Sequence, residues 1–414
     1  MADPTERVGA EEPGPAAADV AVVGAGIVGL GIAWAAVRSG RTVTVIDPTP
    51  ANGATYAAAG MLAPVSELHY EEEDLLELTL ASAARYPSFV APLDPGTGYL
   101  STSTLVVAAD AADRRALSDL ASLQRAHGLS VQPVSIRSAR AGEPLLSANI
   151  SGAFVVNDDH QVDPRRLAER LRASLTDAGA VFLPATAAGL LHENADPDRV
   201  TGVRLTDGRR VTAREVIVAN GLGAAQLTGL PAGLDLPLRP VYGDILRLRV
   251  PEQLRPLITA TVRGVVRGLP VYLVPREDGT IVIGATSRED GVPGVSAGGV
   301  HQLLRDAQVL VPTVTELELI EATARARPGT PDNAPLLGRV RREPAGTGTG
   351  DVPGLIIATG FFRHGVLLTP IAAEICVALL DGSPTPRWTR FRPDRFPVRT
   401  PLPAPLPRKE TARA

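Results

Sequence analysis

The stretch Asp19 to Asp47, DVAVVGAGIVGLGIAWAAVRSGRTVTVID, limits what this chain can fold into more than any other. Val20 to Val23 is a short apolar run of strand type. Gly24, Gly26 and Gly29 follow in G-x-G-x-x-G spacing. A helical pattern then runs through Leu30, Ile32, Ala33, Trp34, Ala36 and Val37, and Gly40 ends it. A second apolar run, Val43 to Ile46, stops at Asp47. Gly24 makes the tight turn, Gly26 lets the backbone approach a pyrophosphate, and Gly29 lets the helix pack closely on the strand. The helix N-terminus offers N–H groups to phosphates, and Asp47 can accept hydrogen bonds from ribose hydroxyls. Strand, glycines, helix, strand and acid in this order predict a dinucleotide-binding βαβ unit. The alternative is a βαβ unit whose glycines serve packing alone.

Composition narrows the function classes. At 414 residues the chain is long enough for two domains. Hydrophobic residues make up 44%, enough for a substantial core, and a formal charge of −4 gives no sign of a nucleic-acid partner. A single cysteine, Cys376, rules out an internal disulfide framework and fits a reducing compartment. The six histidines are dispersed without metal-ligand spacing, so no metal site is expected. Residues 1–18 are acidic and rich in Pro, Gly and Ala, and lack a signal-peptide pattern; a disordered leader is expected. No uninterrupted apolar run is expected to reach membrane-spanning length, which predicts a cytoplasmic protein with no membrane partner.

Beyond Asp47, the segment Asn52 to Leu62 has almost no bulky side chains, as a backbone lying flat against a planar ligand requires. Thr55 offers a hydroxyl where the chain should pass the phosphates. Helices are expected over Glu71–Tyr86, Ala111–His127, His301–Leu310 and about Thr369–Leu380. Another runs to Ala178, with Asp163 as N-cap and Pro164 first in the helix. Strands are expected over Tyr99–Ala108, Gly152–Val156, Ala180–Leu183, Glu215–Ala219, Pro237–Val250, Leu317–Arg327 and Leu355–Ala358. Val200–Leu205 with Arg210–Thr212, and Tyr272–Pro275 with Thr280–Ala285, are expected as hairpins. Trp388, Phe391 and Phe396 should anchor the tail from Ser383, whose last ten or so residues are expected to be disordered. Buried strands with Gly-rich ends predict a nucleotide-binding layer; alternating strands predict an antiparallel sheet inserted between them.

Several longer motifs accompany these elements: ATYAAAGMLAP from Ala54, VIVANG from Val216, PVYGDILRL from Pro240, VYLVPR from Val271, IVIGAT from Ile281, ARPGTPDNAPLLG from Ala326 and ATGFFRHGVLLTP from Ala358. With the glycine fingerprint and Asp47, they resemble the D-amino-acid oxidase family of flavoproteins, and within it the glycine oxidases of thiamine biosynthesis. The resemblance covers Asp19 to about Phe396. It implies an α/β fold, with a Rossmann-like, doubly wound FAD-binding domain from residues 19–90, 160–230 and 326–385. An inserted antiparallel-sheet substrate domain would come from residues 91–159 and 231–325, and residues 386–414 would form a C-terminal tail. The activity implied is oxidation of glycine or another small amine acid by O2, through hydride transfer to flavin N5. The products would be an imine that hydrolyses to glyoxylate, ammonia and hydrogen peroxide. A homo-oligomer and hand-off of the imine to a thiazole synthase are further implied partnerships.

The resemblance also assigns residues. An amino-acid substrate needs a carboxylate clamp, and arginine supplies a planar bidentate one; Arg327 matches the family's clamp position. Tyr272 matches a tyrosine that binds the same carboxylate, and Arg363, beside the flavin, and Ser287, on the pocket side, complete the expected substrate-binding set. FAD would be held by Gly24, Ala25, Gly26, Ile27, Val28, Gly29, Asp47, Thr55, Ala59, Gly60, Met61, Val181, Asn220 and Gly221. Gly360, Arg363, His364, Gly365, Val366 and Leu367 would complete that set, their N–H groups stabilising charge on the flavin's pyrimidine side. No side-chain acid or base is required. Cys376 lies in a helix-type apolar run and reads as a buried thiol, so FAD is expected to be non-covalent. Phe361 replaces a histidine frequent in glycine oxidases, and Tyr242 replaces a frequent basic residue. The competing readings are a D-amino-acid or sarcosine oxidase or dehydrogenase, and a flavin-binding module without turnover.

Overall fold

The opening strand, Ala18–Val23, is buried almost throughout because it lies inside a parallel sheet with neighbours on both sides. The computed structural model describes residues 18–342 and 350–397. Of the expected leader, residues 1–17 lie outside those residues, and Ala18 already belongs to the first strand; the expected disordered end lies outside them too.

In the first sheet the strands run in the order Leu336–Gly338, Leu355–Thr359, Arg210–Val218, Ala18–Val23, Val43–Ile46, Val181–Leu183. All neighbours are parallel except the first pair. The hairpin arm from Arg210 and the buried strand from Glu215 are one continuous strand rather than two. Its first half alternates and pairs antiparallel with Val200–Leu205; its second half is buried between parallel neighbours. Ala187–His192, which the sequence reading did not anticipate, extends that hairpin.

The second sheet has the order Glu318–Gly329, Arg239–Arg249, Thr280–Gly284, Leu269–Pro275, Thr261–Val266, Thr104–Ala108, Gly152–Val156, Gln132–Val134. It is antiparallel except where Thr261–Val266 runs parallel to Thr104–Ala108, a strand and a pairing absent from the sequence expectation. Helices Ala111–Ala126 and Ala297–Leu310 cover it.

The helix of the glycine fingerprint, Ile27–Arg38, packs against Gly365–Leu380, the last long helix. A Cβ on Gly31 would collide with the Thr369 methyl, so this contact is as close as backbone permits. The last helix starts four residues earlier than expected and contains Pro370. Proline lacks an N–H and orphans the carbonyl four residues before it. That carbonyl, on Val366, accepts from the buried Tyr86 hydroxyl at 2.7 Å. One residue on, Ser82 Oγ donates to the Leu367 carbonyl at 2.6 Å and accepts from Ile371 N–H at 3.3 Å. Both side chains come from the helix Leu76–Val90, which begins later than expected. Two side chains therefore satisfy the proline defect and let the helix begin at Gly365.

The stretch Phe362–Leu380, 19 residues, is long and apolar enough by composition to cross a membrane. Arg363, His364 and Glu374 fall within it, so it is not the uninterrupted apolar run that the sequence was expected to lack. Two thirds of it, 67%, is buried in the fold, where its neighbours are helices of the same core. Trp388 and Phe391 are buried and Phe396 packs on the core from the tail side, as expected of anchors.

A Cβ on Gly29 would land on the Gly24 carbonyl. Gly29→Ala is expected to cost about 2 kcal/mol of stability, seen as a lower unfolding midpoint in denaturant. An unchanged midpoint would contradict this packing.

Candidate active site

A cavity of about 670 Å³ lies between the two sheets, within the size range of small-molecule sites. One wall is the carboxyl edge of the parallel sheet: Gly24, Asp47, Ala219 and Gly360 each follow directly on a strand end and line it. Ligands of open α/β sheets bind at this edge. The other wall is one face of the second sheet, where Gly243 and Ile245, Pro270 and Tyr272, and Arg325 and Arg327 take alternate positions on their strands.

Of the residues assigned from sequence, all but Ala25, Gly29 and Val181 line this cavity. Ala25 N–H is turned to Asp47 Oδ2 at 2.7 Å and fixes the acid beside the glycine turn. Gly29 serves helix packing. Val181 corrects the expectation: it lies at the start of an edge strand, 44% exposed, and the cavity is at the opposite, carboxyl end of that sheet. Thr55 Oγ1 accepts from Ile27 N–H at 2.9 Å, so the first helical N–H is taken and the hydroxyl proton is left to donate.

The cavity fits a dinucleotide. Gly24 has φ +103°, and a Cβ there would strike Ala219 and Asn220. Ala57, Ala58, Ala59 and Gly60 give a flat, small-residue wall. Asn220 Oδ1 is buried without a partner beside it. The N-terminus of Gly365–Leu380 opens onto the cavity through His364, Gly365, Val366 and Leu367, where N–H groups lack intrahelical acceptors.

Three arginines line the end away from the glycine turn. Arg263 pairs with Glu67 through Nη1. Arg363 Nε binds Glu67 Oε2 at 2.8 Å, and its Nη1 binds Glu72 Oε1 at 3.1 Å. Arg363, expected in the substrate-binding set, is thus doubly neutralised by carboxylates and is not a free cation of the cavity. Burial alone would raise the Glu67 carboxyl, but Arg263 and Arg363 hold it well below the usual range. Arg327 differs: its Nη1 reaches only the Thr286 carbonyl at 3.4 Å, and no carboxylate pairs with it among the described residues. A Cβ on Gly243 would overlap the Arg327 guanidinium, and one on Gly284 would overlap the Tyr272 hydroxyl, so two glycines make room for the two side chains. Burial raises the Tyr272 phenol and the Arg327 charge opposes it, so the hydroxyl remains a donor at neutral pH.

Glu67, His69, Glu72, Arg263 and Arg325 were missed by sequence reading. The alternation in TVRGVV would have marked Arg263 as facing one side of a strand; nothing local marks Glu67 as its partner. Ser287 lines the cavity as expected, and so does Phe361. Tyr242 does not; its backbone pairs with Arg288 and its ring lies 6.0 Å from that guanidinium. Cys376 is fully buried in the last long helix, away from the cavity, and burial pushes its thiol up to about 12.

His364 is buried at the cavity wall, and burial with the Arg363 charge pushes its imidazole down to about 4 from 6.5. The folded protein resists this proton more than the unfolded chain does. Stability from His364 is therefore present above 6.5 and is lost as pH falls toward 4, by up to about 3 kcal/mol. Asp159 runs the other way: burial raises it to about 6 although it accepts from Val65 and Ser66 N–H. A comparison with His364→Asn isolates the histidine. The stability gap between wild type and variant is expected to shift against the wild type as pH falls from 6.5 to 4. A gap independent of pH in denaturant titrations would contradict a neutral buried His364.

A family model described as FAD dependent oxidoreductase (DAO) matches residues 19–379. The chain is 33% identical over 389 residues to the bifunctional protein ThiO/ThiG of Synechocystis sp., covering 91% of this chain and 54% of that one. It is 31% identical over 380 residues to the glycine oxidase of Geobacillus kaustophilus, covering 89% and 94%. The crystal structure of glycine oxidase from Geobacillus kaustophilus matches with a TM-score of 0.80 at 29% identity, over 92% of this chain and 99% of that one. That of iminodiacetate oxidase (IdaA) from Chelativorans sp. BNC1 matches with 0.78 at 26% identity, over 90% and 98%. The chain spans about half the length of the ThiO/ThiG relatives. With its motifs, its fold and its cavity in agreement, the chain belongs to the DAO family of FAD-dependent oxidoreductases and takes FAD as its cofactor.

Proposed function

We propose that this protein is an amine-acid oxidase that converts glycine, with O2, to an imine that hydrolyses to glyoxylate and ammonia, releasing hydrogen peroxide. The observation that carries this is Arg327, a cavity-lining arginine beside Tyr272 with no carboxylate of its own, while Arg263 and Arg363 are neutralised. A substrate carboxylate supplies the missing partner, bidentate on Arg327, with the Tyr272 hydroxyl as a further donor. FAD, when bound, supplies the two-electron oxidation. The half-buried position of Arg327 and the apolar wall formed by Ile245, Met61 and Phe361 hold the amine acid away from bulk water. The N–H groups at Gly365 to Leu367 stabilise negative charge that develops across the cavity. His364, pushed down to about 4, is a poor base, and Glu67 is held by two arginines, so the amine loses its proton to water before the substrate is enclosed.

Ser287, a small residue on the cavity wall, supports a second reading within the same chemistry: a larger amine acid, D-configured or N-substituted as in sarcosine, enters there. The names of the glycine oxidase and ThiO/ThiG relatives support the first reading and a place in thiamine biosynthesis, with the imine passed to a thiazole synthase. A cytoplasmic homo-oligomer is the form we propose for it.

Peroxide release in air is expected to be strongest with glycine among glycine, sarcosine, D-alanine and D-proline; stronger turnover of the larger three would favour the second reading. Arg327→Ala is expected to lower kcat/KM roughly a hundredfold or more, mainly through KM, with FAD retained. Unchanged kinetics would remove Arg327 from the clamp.

A further inference from the structure

The segment Asn52–Ala59 runs along the cavity directly beside the glycine turn. Ala51 N–H donates to the Ala25 carbonyl at 2.9 Å, and Thr55 holds Ile27 N–H. Arginines from four separate parts of the chain hold the carbonyls of this segment: Arg165, Arg247 and Arg276 stand outside the cavity lining, and Arg325 stands on it. Arg325 Nε donates to the Asn52 carbonyl at 2.9 Å. Arg165 Nε donates to the Tyr56 carbonyl at 2.9 Å, and Arg247 Nη2 reaches the same oxygen at 3.5 Å. Arg276 Nη2 donates to the Ala59 carbonyl. The Tyr56 ring lies between the Arg165 and Arg325 guanidiniums, 3.6 and 5.3 Å from its centroid.

The charge here does not balance. Arg165 pairs with Glu321 at 2.7 Å and Arg276 approaches Asp163 at 3.8 Å. Arg247 and Arg325 have no carboxylate partner among the described residues, and Arg325 itself lines the cavity. Arg247 and Arg276 are buried, and each has an Nε without an acceptor. Burial and the nearby Arg165 charge push Arg247 down from its ordinary value, and burial pushes Arg276 down to about 10. Arg247 is a buried cation without a counter-ion among the described residues, which is costly, and the half-buried Arg325 adds a second unpaired charge, so an anion close to this segment would stabilise the protein. The two missing negative charges equal those of one pyrophosphate.

We propose that Arg165, Arg247, Arg276 and Arg325 form a cationic backing around Asn52–Ala59 that attracts the FAD pyrophosphate, with Arg247 and Arg325 supplying the uncompensated charge. The backing acts on the phosphates and is blind to the isoalloxazine, so it selects FAD over riboflavin. It is independent of the substrate.

The test is flavin dissociation from the purified holoenzyme on dilution, followed by flavin fluorescence across a range of potassium chloride concentrations. Riboflavin binding to the FAD-depleted full-length protein is measured alongside. Arg325→Gln is expected to raise the Kd for FAD about tenfold, the effect of removing one unit charge from a partly screened site. The dependence of log Kd on log salt should become shallower, riboflavin binding should not change, and Arg325→Lys should restore most of the loss. Arg247→Met should behave like Arg325→Gln; if it does not fold, Arg325→Gln decides alone. An unchanged Kd for FAD in Arg325→Gln would overturn the proposal. An equal loss for FAD and riboflavin with the wild-type salt dependence would also overturn it, because that result marks a packing role.

Discussion

The Glu67 carboxylate, buried between Arg263 and Arg363, sets the electrostatic character of the cavity. Without it, two more unpaired guanidiniums would stand at that end of the cavity, and an incoming anion would have three competing partners. With Glu67 and Glu72 in place those charges cancel, and Arg327 remains as the cation of that end. A buried ion-pair cluster of this kind adds little net stability because desolvation offsets the Coulomb gain. What it supplies is discrimination: one position in the cavity attracts an anion and its neighbours do not. The Val65–Ser66 turn that precedes Glu67 is itself held by the buried Asp159 carboxylate, which ties the cluster to the loop after Gly152–Val156.

A second constraint works through the backbone. The helix from Gly365 brings free N–H groups to the cavity only because it starts before Pro370. Tyr86 and Ser82 take over the hydrogen bonds that the proline disrupts. A neutral His364 sits at the same helix start. This end of the cavity therefore depends on side chains from a helix that lines none of it.

How much of this was legible depended on distance along the chain. The unit from Val20 to Asp47 was readable because its glycines, strands and acid act on one another within thirty residues. Asn220, Gly360 and the Gly365–Leu367 run lay in motifs at strand ends, and Tyr272 and Arg327 could be assigned because the motifs around them resemble those of the D-amino-acid oxidase family. Arg263, Glu67 and Glu72 were not legible, since their partners lie 196 to 296 residues away and meet only through the order of the second sheet. That order includes the parallel pairing of Thr261–Val266 with Thr104–Ala108, which no local pattern announces. Val181 shows the opposite failure: the strand was recognised, but which of its ends meets the cavity follows from strand direction in the assembled sheet. The early start of the last helix was hidden because proline normally argues for a boundary, and the compensating Tyr86 lies 280 residues earlier.

The account rests on Arg327 being the group that receives a carboxylate. The direct measurement is a titration of the holoenzyme with acetate, a carboxylate with no amine to oxidise, read as a perturbation of the flavin absorbance in wild type and Arg327→Met. The account predicts saturable binding in the wild type that disappears in the variant while the flavin stays bound. Equal acetate affinity in the two proteins would contradict it and would place the anion site elsewhere in the cavity.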